Sequence, residues 1–196
     1  MEIGPGNFPH IPIKGSYFVD TSKEALKKLV AKGGKGHMPS DGTLPFRDNY
    51  FDLICASHVL EHIKDDSKTI SEVFRTLKPG GTFILEVPIH TDRWSKFDEV
   101  AGHVRRYDVD ELYDKLTETG FKLHKFNAYS SPINKYTSWF VAKLFYLFPQ
   151  ICVNIYLRLV PKIQNYISGQ KGKVLYTENF NIIMDKGDDA TLILTK

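Results

Sequence analysis

Apolar residues occur along the chain in two kinds of stretch that alternate. Short apolar runs predict strands buried in a sheet; they cover residues 17–20, 51–55, 82–87, 121–126, 179–184 and 190–195. Sets at helical spacing predict amphipathic helices; they are Ala25, Leu26, Leu29 and Val30, then Ile70, Val73, Phe74 and Leu77, then Leu112 and Leu116. This order predicts one α/β domain with a doubly wound, mostly parallel sheet, and its last two runs predict a hairpin.

Polar residues ahead of the helical sets predict where the helices begin. Thr21 and Glu24 have the spacing of a capping box, in which the hydroxyl and the carboxylate bind free backbone N–H groups. Asp66 or Ser67 is predicted to cap the second helix, and Asp108 the third.

Residues 1–20 have the layout of a nucleoside-type cofactor site. Gly4 and Gly6 permit a sharp turn where a strand ends and let a ligand come close to the backbone. Asp20 ends the next strand, where its carboxylate can accept hydrogen bonds from both hydroxyls of a ribose. Taken alone, these residues also fit a plain Gly-Pro turn followed by a helix-capping Asp.

The residues after Gly6 argue against a dinucleotide. The third glycine of a dinucleotide fingerprint is missing, and Pro9 and Pro12 leave little room for a regular helix. Glu2 would repel a phosphate, whereas it suits a cationic ligand. S-adenosyl-L-methionine carries an ammonium and a sulfonium but no phosphate, so it fits this site best.

Six motifs together resemble the class I S-adenosylmethionine-dependent methyltransferases, in that family's order and spacing. They are Glu2-Ile-Gly-Pro-Gly6, Val19-Asp20, Leu44-Pro-Phe-Arg-Asp-Asn-Tyr-Phe-Asp-Leu-Ile54, Ser57-His-Val-Leu-Glu-His62, Leu77-Lys-Pro-Gly-Gly-Thr-Phe-Ile-Leu85 and Gly102-His-Val-Arg-Arg-Tyr107. The likeness covers roughly residues 1–127 and is to the type 11 methyltransferases. It implies a Rossmann-like fold with an antiparallel C-terminal strand pair, S-adenosyl-L-methionine as cofactor, and a transferase that carries out methylation. The first strand begins nearer the chain's start than in that family, so N-terminal truncation is one expectation.

The resemblance also implies positions around the cofactor. Glu2, Gly4, Gly6, Asp20 and Thr21 would surround the methionine and ribose. Ser57 would lie near the methyl group, because it leaves a strand at the crevice of the sheet. An acidic residue of the 37–43 loop typically contacts adenine in the family. Asp41 is the candidate, with Ser40, a backbone group or an ordinary Asp-Gly turn as alternatives.

His58 and His62 have the i, i+4 spacing of a zinc-binding pair. Neither a third ligand nor an adjacent catalytic Glu accompanies them, so no metal site is predicted. His58 is either a pocket residue with a catalytic role or structural. Glu61 and His62 are predicted to orient the loop through hydrogen bonds.

The segment 90–108 is predicted to overhang the methyl group, because it follows a central strand and is long for a loop. His103 is the best candidate for a general base, since an imidazole can accept a proton near neutral pH. Arg106 and Tyr107 are predicted to bind a polar substrate. Alternatively, the segment only packs the lid and His103 binds a backbone carbonyl.

Composition narrows the class of protein. The 196 residues are 42% hydrophobic and 25% charged, as in an ordinary globular domain, and a net charge of +3 is too small to indicate nucleic acid. Cys55 and Cys152 lie in apolar runs without metal-ligand spacing, which indicates reduced core residues of a cytoplasmic protein. No signal peptide is recognisable at the start.

Residues 128–178 are predicted to form an apolar helical insertion within the single 1–196 domain. Charged and proline residues interrupt it too often for a membrane span. A lid over an apolar pocket and a helical pair on a membrane surface both remain open. Either indicates a small or lipid-linked substrate with an apolar part, such as a quinone precursor.

Two other functions compete with methyl transfer. One is a noncatalytic pseudoenzyme or membrane-associated interaction module, and the other is a nicotinamide oxidoreductase. No residue identifies the acceptor atom or the oligomeric state.

Overall fold

The computed structural model describes residues 1–129 and 187–196. In this part of the chain, the helices and most of the strands that the apolar pattern predicts are present. The strands are β1 (Glu2–Ile3), β2 (Tyr17–Val19), β3 (Lys35–His37), β4 (Phe51–Ser57), β5 (Leu77–Pro88), β6 (Lys122–Tyr129) and β7 (Asp189–Thr195). The α-helices are α1 (Lys23–Ala31), α2 (Asp66–Thr76), α3 (Lys96–Ala101) and α4 (Val109–Thr119).

The described strands form one seven-stranded sheet in the order β3-β2-β1-β4-β5-β7-β6. Strands β1 to β5 pair in parallel, and β7 runs antiparallel to both β5 and β6. The predicted Rossmann-like α/β fold with an antiparallel C-terminal strand pair is therefore confirmed. The strand order reverses at β1, which lies between β2 and β4. Such a switch point opens a ligand crevice at the carboxyl ends of the strands.

The centre of the sheet is the core of the domain. Ile54 on β4 and Phe83 on β5 have no exposed surface, and Leu192 and Leu194 on β7 are 1% exposed. Buried and half-exposed residues alternate along β7, because one side of this strand faces the core. These side chains bury enough apolar surface to hold the strand ends, and hence the crevice, in place.

Strand β3 is absent from the elements that the apolar pattern predicts. It has only three residues, Lys35, Gly36 and His37, and it lies at the edge of the sheet. A Cβ on Gly36 would be 3.1 Å from Val30 and 3.2 Å from Leu26, so the glycine allows α1 to pack closely on the strand. Short edge strands without apolar alternation give no pattern to detect.

Two predicted helix caps are wrong by one residue. Ser22, not Thr21, caps α1, and its side chain accepts a hydrogen bond from the backbone N–H of Ala25. Asp20 causes the shift, because its carboxylate accepts the N–H of Ser22 at 2.8 Å and fixes the turn there. Glu24 pairs with Lys28 instead of closing a capping box.

The second helix is capped one residue earlier than predicted. Asp65 is the N-cap of α2, and its carboxylate accepts from the N–H of Lys68. Asp66 is already helical, and its carboxyl group is buried. The predicted cap Asp108 is confirmed at α4, where its carboxylate accepts from the N–H groups of Asp110 and Glu111.

The buried carboxylate of Asp66 ties three segments together. It accepts hydrogen bonds from the Tyr107 hydroxyl at 2.9 Å and from Lys115 Nζ at 2.8 Å, and Arg105 lies 2.8 Å away. Burial alone would raise the pKa of Asp66, but these donors and cations outweigh it and lower the pKa below its usual value.

We expect Asp66 to stabilise the fold in a pH-dependent way. Because the folded-state pKa is lowered, its contribution is present above the unfolded pKa of about 3.9 and is lost as the pH falls through the folded pKa. Asp66→Asn should therefore lower the free energy of unfolding by about 1–3 kcal/mol at neutral pH, and by much less in strong acid. Urea unfolding over this pH range measures the difference. Asp114→Asn, an exposed acid on α4, is the control, and a constant difference at all pH values would contradict the assignment.

No helix among the described residues is both long enough and apolar enough to cross a bilayer. Most of the predicted insertion at 128–178 lies outside the described residues. The predicted strand at 179–184 lies outside them too.

Candidate cofactor site

The glycine turn directly follows β1 and meets β2. Gly4 and Gly6 have φ angles of +63° and +52°, and the N–H of Gly4 donates to the carbonyl of Val19 at 2.8 Å. A Cβ on Gly4 would overlap the side chain of Val59, whereas none of the described atoms lies within 4 Å of a Cβ built on Gly6. Gly4 thus allows close packing, and Gly6 leaves open space at the strand ends.

Asp20 lies against this turn. Its Oδ2 accepts a hydrogen bond from the N–H of Gly6 at 2.9 Å, and its Oδ1 accepts from the N–H of Ser22. A carboxylate has about four acceptor positions, so each oxygen can accept one further donor. Thr21 is exposed beside it. Asp20 therefore lies next to the glycine turn, and its contact with a ribose stays a prediction.

The carboxylate of Glu2 binds the loop that follows the turn. It is 1% exposed and accepts from the backbone N–H of His10 at 2.9 Å, from His10 Nδ1 at 2.9 Å and from the N–H of Ile11 at 3.2 Å. The hydrogen bond to Glu2 raises the pKa of His10, with burial acting against it. Sequence reasoning missed His10; the prolines around it predicted only that no helix would form, and none does between β1 and β2.

Asp41 lies in an exposed turn after β3. Its φ is +47°, and the turn is closed by hydrogen bonds between Ser40 and Thr43. The Asp41 carbonyl accepts from Lys68 Nζ. The carboxylate is at the surface, and its contact with adenine stays a prediction.

Ser57, the last residue of β4, is held by a residue that sequence reasoning missed. Its hydroxyl donates to the carboxylate of Glu86, which lies opposite it on β5. Thr191 donates to the other oxygen of Glu86 at 3.0 Å. The regular alternation of β5 is the signal that could have revealed Glu86, since it places a carboxylate within an apolar strand.

Two histidines have left-handed backbone conformations directly after neighbouring strands. His58 follows β4 with φ +51°, and His90 follows Ile89 at the end of β5 with φ +65°. Such residues cost about 1–3 kcal/mol each and cluster at functional sites. His90 was not singled out from the sequence. Its Nε2 is buried and has no hydrogen-bond partner among the described residues.

The segment after β5 is organised by Asp98 of α3. This carboxylate is fully buried and accepts from Ser95, from His103 Nδ1 at 2.9 Å and from Arg106 Nε at 2.8 Å. Burial opposes ionisation, but these donors lower the pKa of Asp98 overall. Burial also lowers the pKa of His103, although the carboxylates of Asp98 and Glu61 act in the opposite direction.

The other predicted site residues on this segment are engaged with the domain itself. The side chain of Arg106 is 11% exposed and binds Asp98 and the carbonyl of Ile89. Tyr107 is 5% exposed, and its hydroxyl donates to Asp66. Their contact with a substrate stays a prediction.

Beneath this segment lies the turn Leu60–His62 that follows β4. Glu61 is fully buried there, and Nδ1 of His58 lies 3.3 Å from its Oε1. Burial alone would lower the pKa of His58, but Glu61 outweighs it and raises the pKa. His62 binds the carbonyl of Gly102 at 3.1 Å and so contacts the loop as predicted. The prediction is wrong for the side chain of Glu61, whose oxygens accept no hydrogen bond from the described residues.

Residues 6–85 match a family described as a methyltransferase domain. A protein of Methanocaldococcus jannaschii is 31% identical over 127 residues, which are 61% of this chain and 62% of that protein. The ubiquinone/menaquinone biosynthesis C-methyltransferase UbiE of Serratia proteamaculans is 48% identical over 86 residues, 42% of this chain and 34% of that enzyme. A SAM-dependent methyltransferase of Thermotoga maritima shares the fold with a TM-score of 0.63 at 17% identity, over the whole chain and 80% of that structure.

The chain resembles class I methyltransferases in its sequence motifs and shares their fold. The family indicates S-adenosyl-L-methionine as the cofactor. The matched segment is less than two thirds as long as these curated relatives, at 62% and 34% of their lengths.

The residues at the methyltransferase crevice fit this cofactor. Gly6 borders open space, and Asp20 beside it keeps acceptor capacity for two ribose hydroxyls. No described helix N-terminus follows the turn, as a pyrophosphate would favour. A cationic, phosphate-free nucleoside is therefore the better fit to the donor and acceptor groups present.

Proposed function

We propose that the protein transfers the methyl group of S-adenosyl-L-methionine to a small acceptor with an apolar part. The hydrogen bond between Gly6 and Asp20 carries this proposal, because it brings the glycine turn and the acidic strand end to one side of the crevice. The cofactor supplies a methyl group on a sulfonium, whose charge is neutralised on transfer. Alignment of the acceptor then accounts for most of the catalysis.

Each crevice residue has a proposed task. Gly4 and Gly6 shape the backbone beside the methionine part, and Asp20 accepts the ribose hydroxyls, with Thr21 next to it. Glu2 contributes negative charge and holds the loop at His10. Asp41, in the turn after β3 rather than at the glycine turn, would contact adenine.

The residues that follow β4 would face the transferred methyl group. Ser57, held by Glu86, lies at the carboxyl end of this strand. Of the two histidines predicted to be catalytic, His58 is the better candidate to accept a proton, because 42% of its side chain is exposed. His103 is only 9% exposed, with Nδ1 held by Asp98. Arg106 and Tyr107, which bind Asp98 and Asp66, would hold the segment that covers the substrate in place.

The acceptor class is proposed from two observations. The similarity to UbiE extends over 86 residues at 48% identity, and that enzyme is named for quinone biosynthesis. The sequence between residues 139 and 160 is also rich in apolar residues. Both favour a quinone-type ring that carries an isoprenoid tail.

We expect the purified full chain to transfer a labelled methyl group to a tailed quinone-type ring. A tail of one isoprenoid unit should raise kcat/KM at least about tenfold over the tailless ring, because burying only about two of its carbons contributes about 1.6 kcal/mol and about 1.4 kcal/mol is tenfold. Product extraction and S-adenosylhomocysteine formation give the rates.

In the same assay, Asp20→Ala should slow transfer, because Asp20 is the proposed acceptor of the ribose hydroxyls. Glu24→Gln, on the surface of α1, is the matched control and should not. Transfer that is equally fast to the tailless ring would refute the acceptor class. Cofactor binding without transfer to any acceptor would refute the proposed activity.

A further inference from the structure

Glu61 is a buried carboxylate without a donor. It has no exposed surface, and none of the described residues forms a hydrogen bond to either of its oxygens. Asp98, also buried, accepts from Ser95, His103 and Arg106. A buried ionised carboxylate is strongly unfavourable unless it is paired or coordinates a metal, so Glu61 calls for a cationic partner.

Two imidazoles next to Glu61 present lone pairs rather than protons. His103 Nδ1 contacts a carboxylate oxygen of Asp98, and His62 Nδ1 contacts the carbonyl of Gly102. Since both contacts are acceptors, each Nδ1 must be the donor, and each Nε2 of a neutral ring is then an acceptor. Nε2 of His103 lies 3.9 Å from Oε1 of Glu61. The acceptor Nε2 of His103 therefore lies next to an acceptor oxygen of Glu61, and a ring nitrogen of His62 lies within 4.8 Å of both residues' ligand atoms.

We propose that Glu61, His62 and His103 bind a divalent transition-metal ion, with Zn²⁺ the best fit. One ligand atom from each residue lies within 4.8 Å of the other two. Ligand atoms on one tetrahedral zinc are about 3.3 Å apart, so binding requires the most distant pair, at up to 4.8 Å, to approach by up to about 1.5 Å. His62 is exposed and can move inward. Two His and one Glu form a known three-residue zinc set, which leaves a fourth position open.

The surroundings of the cluster suit a metal of this kind. Asp98 would orient His103 and increase its basicity, as carboxylates behind zinc-binding histidines do. Imidazole ligands favour zinc and its neighbours over Mg²⁺, which prefers oxygen. His58 Nδ1, 3.3 Å from Glu61, is the one competing cation within the described residues. It makes an ion-pair contact without hydrogen-bond geometry.

The sequence could not reveal this set, since His103 joins the His62 motif only through folding. The N–H of Val104 donates to the Glu61 carbonyl at 2.8 Å and brings the two segments together. The inference does not depend on methyl transfer, because it concerns a cluster at the turn Leu60–His62 rather than the glycine turn.

Metal titration of the chelator-treated full chain tests the proposal. Zn²⁺ should bind with one equivalent in competition with a chromophoric chelator, and Co²⁺ should produce visible d–d absorption. Asp98→Asn should weaken Zn²⁺ binding about 10–100-fold, as expected for a residue that supports a ligand. Glu61→Gln and His103→Ala should weaken it more, and Mg²⁺ at equal concentration should not compete.

His62→Ala keeps the proposal testable if the buried variants fail to fold, because this side chain is exposed. His124→Ala is the matched control, a surface histidine on β6 that binds Thr195. It should titrate like the unmodified chain. The inference is overturned if Zn²⁺ does not bind stoichiometrically, or if His62→Ala binds Zn²⁺ as tightly as the unmodified chain. It is also overturned if His58→Gln abolishes Zn²⁺ binding while the Glu61, His62 and His103 variants do not.

Discussion

Asp20→Ala is expected to weaken S-adenosyl-L-methionine binding about 100-fold. The proposed hydrogen bonds from two ribose hydroxyls to a charged acceptor are worth about 1.5–3 kcal/mol each, so even at the lower limit the loss of both, about 3 kcal/mol, corresponds to about 100-fold in Kd. The carboxylate also holds the N–H groups of Gly6 and Ser22, so the turn loosens as well. Isothermal titration calorimetry gives the change in Kd directly.

A second variant separates ligand contact from turn stability. Asp20→Asn keeps the shape and one acceptor oxygen, so its affinity should lie between those of the unmodified chain and Asp20→Ala. Glu24→Gln changes an exposed acid that pairs with Lys28 and should leave Kd unchanged. An Asp20→Ala protein that melts normally and binds the cofactor with unaltered Kd would remove Asp20 from the proposed ribose site.

Gly4→Ala should be the most disruptive single-methyl change at the crevice. A residue with φ +63° costs about 1–2 kcal/mol once it has a Cβ. The new methyl also meets Val59, whose Cγ1 would lie 3.0 Å away and whose Cγ2 closer still. Overpacking of this kind adds about 1–3 kcal/mol. We therefore expect the free energy of unfolding to fall by about 2–5 kcal/mol in denaturant titrations.

Gly6→Ala provides the matched comparison for this prediction. Gly6 has a similar φ of +52°, but its Cβ would meet no described atom within 4 Å, so only the backbone penalty applies. Gly4→Ala combined with Val59→Ala should recover the overpacking part relative to Val59→Ala alone. If Gly4→Ala and Gly6→Ala destabilise the protein equally, close packing against Val59 is not what requires a glycine at position 4.

Elements with a strong local pattern could be predicted from the sequence. The apolar run in β4 and the alternation in β7 mark strands, because the sheet core must be apolar wherever it is buried. Asp108 was assigned correctly as a cap, since its side chain bonds N–H groups only two and three residues away. Asp20 and the glycine turn could be located from the sequence because each directly follows a strand of the parallel sheet.

Features that depend on distant segments were missed or displaced. Strand β3 exists because Gly36 lets α1 pack against it. The cap of α1 moved to Ser22 because Asp20 binds its N–H. Glu86 meets Ser57 only through the register of β4 and β5.

The sequence by itself determined the class of the protein: its α/β alternation, its glycine turn with Asp20, and hence a nucleoside cofactor without phosphate. These features follow from local periodicity and backbone preference, which a linear chain displays directly. Only the tertiary structure decided that Glu2 binds His10 and that Glu61 and His103 meet in one buried cluster. Such contacts join residues that are far apart in the chain, and burial, which sets the charge and hydrogen-bonding needs of each group, arises only when those segments pack together.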